Sequence, residues 1–310
     1  MSMFAARYRI ICVLGAACAL ILAASVWLVA EDFKGSKLCK MCHANLHKPI
    51  VDGFAKVAHP KAFADVTKNP EAIVAAFDAN SPITKEQIKY TLGSGRTAQA
   101  YLDANLRTLP ARWSVKDKKW VAATEQDAKT QCLGCHVTGY NAAAATWTEN
   151  GVTCEACHGP GSAHTAGDKT KIINPRKLTS GKGMMVCGQC HSKGTDPSKT
   201  YAFPMGYKVG DDLAQSFVDA QPTTAGADQQ YSDLKRSKHF TKDVTCVTCH
   251  DPHGAGTTLP NQLRKPINEL CLGCHPGKDM KTHAPSASAD ATCAKCHMPN
   301  GRHTFIKPKP

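Results

Sequence analysis

Aromatic side chains, acidic residues and regular repeats are all scarce in this sequence. Only 6% of the 310 residues are Phe, Trp or Tyr, so aromatic side chains are expected to contribute little to the core. No segment recurs with a fixed period, which excludes a solenoid. The 25 acidic residues are outnumbered by 38 lysines and arginines, and the formal charge of +13 is of the kind that nucleic-acid-binding surfaces carry.

Cysteine and histidine are abundant instead, and they recur in one short pattern. The chain contains 16 cysteines and 14 histidines, and the pentapeptide Cys-x-x-Cys-His occurs seven times. Its cysteines are Cys39, Cys42, Cys132, Cys135, Cys154, Cys157, Cys187, Cys190, Cys246, Cys249, Cys271, Cys274, Cys293 and Cys296. Its histidines are His43, His136, His158, His191, His250, His275 and His297.

This pattern is the attachment sequence for c-type haem. Each thiol can form a thioether with one vinyl group of the porphyrin, and the adjoining histidine reaches the iron from one face. A zinc ribbon, an iron–sulfur cluster or a disulfide framework would use the cysteines but would leave the repeated histidine unexplained. The sequence therefore predicts seven covalently bound haem c groups.

Seven histidines lie outside the pentapeptides, and they equal the predicted haems in number. They are His47, His59, His164, His239, His253, His283 and His303. Haem iron readily takes histidine as its second axial ligand, so this equality predicts histidine on both faces of each iron. In "GVTCEACHGPGSAH", His164 follows His158 too closely to reach the far face of the same porphyrin, and it is expected to bind a neighbouring iron. Methionines such as Met298 are expected to pack against porphyrin.

Residues 1–30 have the pattern of a signal peptide or an N-terminal membrane anchor. The 21 residues from Ile10 to Ala30 are uncharged and mostly apolar, which is long enough to span a bilayer, and Arg7 and Arg9 precede them. The residues before Glu31 match a cleavage site poorly. The remaining chain is expected in the periplasm or anchored at the outer face of the membrane, with an extracellular location as an alternative. Haem c is attached on that side, so leader and motifs agree.

Too little protein accompanies each predicted haem for a conventional core, because 280 residues follow residue 30. We therefore predict a mainly α fold with much irregular structure, built around haems packed against one another. Residues 31–131 would hold the first haem and residues 132–310 the other six, in one compact unit. Short strands with a turn at "KDKK" predict a small β element between residues 90 and 123. In "NPEAIVAAF", Asn69 as N-cap and Pro70 at the first position predict a helix.

The basic excess has an explanation that does not involve nucleic acid. The two leader arginines account for two of the thirteen charges, which leaves +11 for the remainder. Seven haems would add fourteen propionates and seven ferric irons in porphyrin dianions, bringing the oxidised protein to about +4. The lysines are therefore expected to pair with propionates, and no nucleic-acid partner is predicted.

Four segments carry a family resemblance. "CKMCHANLHKPIVDGFAKVAHPKAF", "CLGCHVTGY…GVTCEACHGPGSAH", "YSDLKRSKHFTKDVTCVTCHDPHG" and "CAKCHMPNGRHTF" resemble segments of multihaem cytochromes c of the cytochrome c554 group, which is related to hydroxylamine-oxidoreductase-like cytochromes. The resemblance covers residues 36–306. It implies a loop-rich, mainly helical fold with stacked and perpendicular haem pairs, and electron transfer as the activity. It also implies distal-ligand roles for His59, His164, His239 and His253, with less support for His47, His283 and His303. The sequence departs from these families in its number of haem motifs, because it has seven whereas their members have four or eight haems.

Two functions from different classes fit these features. The first is an exported electron carrier that relays electrons through seven bis-histidine haems in anaerobic respiration. Its partners would be a quinol-oxidising membrane protein or other cytochromes, with membrane contact through the N-terminal segment if this is uncleaved. The second is an oxidoreductase of a small nitrogen or sulfur oxyanion with one open haem, where Tyr140, Lys193, Arg236 or Lys238 could assist. The equal number of spare histidines favours the carrier.

The haem count and the export requirement can be tested together. We expect the mature protein to have an intact mass that includes seven haems. We also expect no thioether-bound haem in a chain that begins at Glu31 and is kept in the cytoplasm, because haem attachment takes place outside the cytoplasm. Mass spectrometry of both proteins is the measurement. A mature protein with six or fewer haems would contradict the count, and holoprotein recovered from the cytoplasmic chain would contradict the export argument.

Overall fold

The Cys-x-x-Cys-His motifs form short helical turns. In this computed structural model, which describes residues 32–220, 229–278, 283–284, 288 and 290–307, three of the seven motifs lie wholly within a helix. Positions i, i+3 and i+4 of a helix share one face, so both thiols and the imidazole of a motif point to the same side. The helices are α1 (Ser36–Leu46), α2 (Lys48–Phe54), α3 (Ala128–Gln131), α4 (Leu133–His136), α5 (Cys154–His158), α6 (Ser162–Thr165), α7 (Ser180–Gly188), α8 (Gln230–Lys235), α9 (Cys246–Cys249), α10 (Ile267–Cys274) and α11 (Cys293–His297).

Glycine and proline keep these helices short. α5 ends at His158 because Gly159 has a φ of 78°, a left-handed conformation that glycine adopts readily. Between the helices, the chain makes single 3₁₀ turns, and five of these begin with proline or have it second. The turns are His59–Lys61, Pro70–Ala72, Lys85–Gln87, Lys169–Lys171, Pro175–Lys177, Leu213–Gln215, Phe240–Lys242, Pro260–Gln262 and Pro299–Gly301.

A five-stranded antiparallel sheet lies between the first and second motifs. Its strands pair in chain order, and Trp113 lies directly opposite Trp120 across its last hairpin. The strands are β1 (Phe63–Asp65), β2 (Tyr90–Leu92), β3 (Ala98–Leu102), β4 (Ala111–Ser114) and β5 (Lys119–Ala122). Two small pairs follow, β6 (Val137–Thr138) with β7 (Glu149–Asn150) and β8 (Gly194–Thr195) with β9 (Val218–Asp219). The predicted β element is confirmed, but the sheet is larger than expected and begins at Phe63.

The sheet packs a hydrophobic cluster on each face. Successive residues of a strand point to opposite faces, and both Tyr101 and Leu102 of β3 are completely buried. The cluster around Tyr101 comprises Ile83, Ile88, Tyr101, Leu109, Ala111 and Trp113. The cluster around Leu102 comprises Phe63, Leu102, Ala128, Cys132, Leu133 and Val137, so it joins the sheet to the second motif. The sheet therefore holds that motif in position.

The helix predicted in "NPEAIVAAF" is wrong. Only the 3₁₀ turn Pro70–Ala72 forms, and the chain is extended from Ile73. The Gln99 side chain donates to the Ala72 carbonyl at 2.9 Å and accepts from the Val74 N–H at 3.0 Å. These long-range bonds use backbone groups that a helix would need, and tertiary context thereby overrides local propensity.

A third hydrophobic cluster lies among the later motifs, and the described residues from Phe33 onward form one compact unit. The buried members of the cluster are Met184, Leu213, Phe217, Tyr231 and Leu234. Met184 thus packs against other side chains of this cluster. The predicted leader, residues 1–30, lies outside the described residues.

Truncating Leu102 should destabilise the sheet. Because Leu102 is completely buried, Leu102→Ala should lower the free energy of unfolding by about 2–5 kcal/mol. Urea unfolding followed by far-UV circular dichroism is the measurement. Val218→Ala is the control, since Val218 is 56% exposed and its truncation should change stability by less than about 0.5 kcal/mol. Equal losses in the two variants would contradict the assignment of Leu102 to a core.

Candidate haem-binding sites

Six pairs of histidine rings have nearly the same ring separation. In each pair, one ring belongs to a Cys-x-x-Cys-His motif and the other to a spare histidine, with ring centres 5.9 to 6.2 Å apart. The pairs are His43 with His164, His191 with His59, His158 with His253, His275 with His239, His250 with His303, and His297 with His283.

This separation fits one iron between each pair. Two imidazoles that bind a metal from opposite sides place their ring centres about 6 Å apart, because each metal–nitrogen bond is about 2 Å long and each ring centre lies about 1.1 Å behind its nitrogen. The motif cysteines form no disulfides, and they lie on the same helical turn as the motif histidine. Within the described residues, no three His, Cys, Asp or Glu side chains converge as a zinc site requires.

Most motif histidines present the correct ring nitrogen. The Nδ1 atoms of His136, His158, His250 and His297 lie 2.7 to 3.1 Å from backbone carbonyl oxygens, and Nδ1 of His191 lies 3.2 Å from the Gln230 side-chain oxygen. A carbonyl accepts only from a protonated nitrogen, so Nδ1–H donates and the lone pair remains on Nε2. Such a hydrogen bond fixes the orientation of a ligand ring.

Burial keeps several of these imidazoles neutral. Desolvation, together with the nearby His191 and Arg96, lowers the pKa of His59 to about 4. Desolvation likewise lowers the pKa values of four others, namely His43, His239, His253 and His303. A metal ligand must be the neutral imidazole, so at neutral pH these rings are in the form that binds iron.

The spare histidine of each pair comes from a different segment than the motif it opposes. His164 follows the third motif yet lies opposite His43 of the first, and His253 follows the fifth motif yet lies opposite His158 of the third. This is the arrangement that swapped ligation requires. Each iron held in this way would join two separate parts of the chain.

His47 has a different position. Its ring stacks on that of His43 with centres 5.1 Å apart, and its backbone N–H donates to the His43 carbonyl at 2.8 Å. Both residues lie at the end of α1, and their separation is shorter than two ligands of one iron need. This position differs from the one expected for a ligand opposite a motif histidine, so the six pairs do not include His47.

Thiols from different motifs approach one another. The thiols of Cys39 and Cys154 lie close together, and this proximity raises the pKa of Cys39. Corresponding contacts join Cys190 to Cys135, Cys246 to Cys187 and Cys271 to Cys293. Cys157 also lies near Cys190, and Cys249 near Cys274. The first, third, fourth, fifth, sixth and seventh motifs therefore form a continuous series, and the second motif adjoins the fourth.

Two buried carboxylates beside the pairs were not predicted from the sequence. Asp233, 1% exposed, accepts from Arg302 Nε at 2.5 Å and Nη2 at 2.7 Å, and from the His303 N–H at 3.3 Å. Burial alone would raise the pKa of Asp233, but the Arg302 guanidinium outweighs burial and lowers it. Glu155, also 1% exposed, lies within the third motif. The sequence feature that could have identified Glu155 is its position inside the motif "CEACH". A carboxylate that is buried against a haem needs partners for its charge.

Two of the four side chains considered for an enzymatic site have other contacts. The Tyr140 hydroxyl donates to the Lys129 carbonyl at 2.9 Å, and burial raises the pKa of Tyr140 to about 12. Arg236 donates from Nη2 to Asp233 at 3.2 Å. These two side chains thus take part in structural contacts.

Two family profiles match parts of the chain. The profile described as "Doubled CXXCH motif" matches residues 238–280, and the profile described as "Cytochrome c554 and c-prime" matches residues 97–159. The chain is a multihaem cytochrome c. It binds haem c through its Cys-x-x-Cys-His motifs.

Individual relatives cover parts of this multihaem cytochrome. It is 32% identical over 156 aligned positions to multiheme cytochrome MtrA of Shewanella baltica (strain OS185), and this match covers 44% of this chain and 46% of the relative. It is 29% identical over 107 aligned positions to dissimilatory sulfite reductase MccA of Wolinella succinogenes, and this match covers 33% of this chain and 13% of the relative. The chain thus spans less than half the length of either relative.

The fold of this multihaem cytochrome is similar to that of a solved structure. The crystal structure of outer cell wall cytochrome OcwA superimposes with a TM-score of 0.72 over 88% of this chain and 79% of that chain, at 23% identity. At this identity the likeness concerns the fold. No helix among the described residues has the length and apolarity needed to cross a bilayer.

The ring orientations predict an electron paramagnetic resonance spectrum. The two rings are nearly perpendicular in the pairs His59–His191 (84°) and His239–His275 (72°), and they lie within 16° to 38° of parallel in the other four. Perpendicular axial imidazoles give highly anisotropic low-spin ferric signals, whereas near-parallel ones give rhombic signals. We expect both types in the oxidised protein, and His239→Ala should remove one anisotropic signal. A spectrum without anisotropic low-spin signals would contradict the pairing.

Proposed function

We propose that this protein is an exported heptahaem cytochrome that relays electrons in anaerobic respiration. The observation that carries the proposal is the set of six histidine pairs at 5.9 to 6.2 Å, because iron held by two imidazoles has no position left for a substrate. A carrier needs many such closed redox centres close together.

The proposed ligands follow from motif and pairing. The fourteen motif cysteines would form the thioethers and the seven motif histidines would bind iron from one face. The opposite ligands would be His164, His59, His253, His239, His303 and His283, for the irons on His43, His191, His158, His275, His250 and His297 respectively. Histidine on both faces favours lower potentials than a histidine–methionine pair, since methionine raises the potential.

The contacts between motifs support a relay. Each haem supplies one reversible electron, and electron transfer slows steeply with distance, so neighbouring haems must approach closely. The thiol contacts Cys39–Cys154, Cys187–Cys246 and Cys271–Cys293 bring the attachment points of successive haems together. The chain would contribute by fixing those distances and by keeping the six paired irons six-coordinate.

We further propose where the electrons come from and go to. The apolar leader before Glu31 favours a periplasmic protein or one anchored at the outer face of the membrane. The partners would be a quinol-oxidising membrane protein on one side and another cytochrome or a terminal acceptor on the other. The chain is also similar to part of a sulfite reductase, so the alternative function is an enzyme that reduces an oxyanion. An experiment must distinguish this enzyme from an electron carrier.

Carbon monoxide separates the two functions. In the reduced protein, the six paired irons should not bind carbon monoxide, so at least about six-sevenths of the haem absorbance should stay unchanged. The protein should pass electrons rapidly to a small soluble acceptor but should show no steady turnover of nitrite or sulfite. Binding of carbon monoxide to two or more haems would contradict the pairing, and steady oxyanion turnover would replace the carrier with the enzyme.

A further inference from the structure

The Glu155 carboxylate lies buried where two chain segments meet. Its Oε2 accepts from the N–H of Gly35 at 2.7 Å and of Lys34 at 3.0 Å. Its Oε1 accepts from the N–H of Gly161 at 2.7 Å and of Lys34 at 2.9 Å. Oε2 therefore binds only the segment before α1, whereas Oε1 joins this segment to the one before α6.

These segments are the starts of the two helices that carry one opposing histidine pair. Gly35 is the N-cap of α1, which contains His43, and Gly161 is the N-cap of α6, which contains His164. The first N–H groups of a helix have no partner within it, and a negative charge there is favourable. Glu155 thus binds both helix starts at once, while the two imidazoles lie 6.2 Å apart.

We infer that Glu155 is a positioning residue that sets the distance between His43 and His164. The inference rests on the proposed binding of one iron by this pair. Glu155 itself belongs to the third motif, so it would fix the axial ligands of the first haem from the attachment turn of another. The helices that carry these two motifs, α1 and α5, are in direct contact.

Glutamine is the informative replacement. An amide has one oxygen and one NH₂ group, so Glu155→Gln can accept from one helix start only and directs N–H groups at the N–H groups of the other. A buried donor left without an acceptor is costly, and the two helices should separate. His164 should then bind its iron weakly, and carbon monoxide should replace it in the reduced protein.

Glu149 provides a matched control. Its Oε2 accepts from the Ser36 N–H at 2.7 Å and its Oε1 accepts from the Ser36 hydroxyl at 2.7 Å. It also accepts from the Thr153 hydroxyl at 2.6 Å. Glu149→Gln therefore removes one negative charge near α1 without touching the segment that carries His164. A second test variant is Gly161→Ala, since a Cβ there would lie 3.1 Å from Glu155 Oε1 and would crowd the carboxylate with no change of charge.

The experiment counts carbon monoxide bound per reduced holoprotein, with haem content checked by intact mass. His164→Ala should bind about one more carbon monoxide than the parent protein, and Glu155→Gln should gain about the same. Glu149→Gln should behave like the parent. The double variant Glu155→Gln/His164→Ala should gain one rather than two, because both changes open the same iron. Should Glu155→Gln fail to mature, Gly161→Ala should show a partial gain.

The possible failures are distinguishable. If His164→Ala gains no carbon monoxide, the proposed ligation is wrong and the inference falls with it. If His164→Ala gains one but Glu155→Gln with full haem content gains none, the ligation stands and the positioning role is wrong. The role is also overturned by an equal gain in Glu149→Gln, by a gain of two in the double variant, or by parent-like behaviour of Gly161→Ala where Glu155→Gln does not mature.

Discussion

The structure depends on bringing two imidazoles from separate segments of the chain to opposite sides of one proposed iron position. Six pairs do so at nearly the same separation, although the partners lie as far apart in the chain as His59 and His191. Few other interactions could order these segments, because the ordinary hydrophobic clusters are small and two of the three belong to the sheet. With the helices limited mostly to one or two turns, the proposed iron bonds and thioethers take the place that side-chain packing has in an ordinary domain.

The haem-attachment turns could be predicted from the sequence, but the pairing could not, because it depends on tertiary distances. One difference was nevertheless present in the sequence. His164 and His47 each follow a motif histidine within six residues, yet only His164 crosses to another motif. In "CHGPGSAH", Gly159 ends the helix and a new one starts after Gly161, which carries His164 away from His158. "CHANLH" has no helix breaker, so α1 continues to Leu46 and His47 stays beside His43.

The sheet shows the same division between local and long-range information. The hairpin from Ala111 to Ala122 was predictable because alternating side chains flank a turn at "KDKK". β1 was not predictable, since three residues carry too little pattern and its pairing with β2 bridges a long intervening loop. The erroneous helix after Asn69 has a similar cause, because Gln99 binds the backbone groups on which that helix would depend.

Acidic residues are the minority in this basic chain, and two buried ones lie at the junctions that the pairing needs. Glu155 joins the helix of His43 to that of His164, and Asp233 joins α8 to the C-terminal segment of His303 through Arg302. A buried carboxylate is stable only when several donors surround it, so each such residue fixes the relative position of the segments that supply those donors. The few buried acids thus fix where the histidine-bearing segments meet.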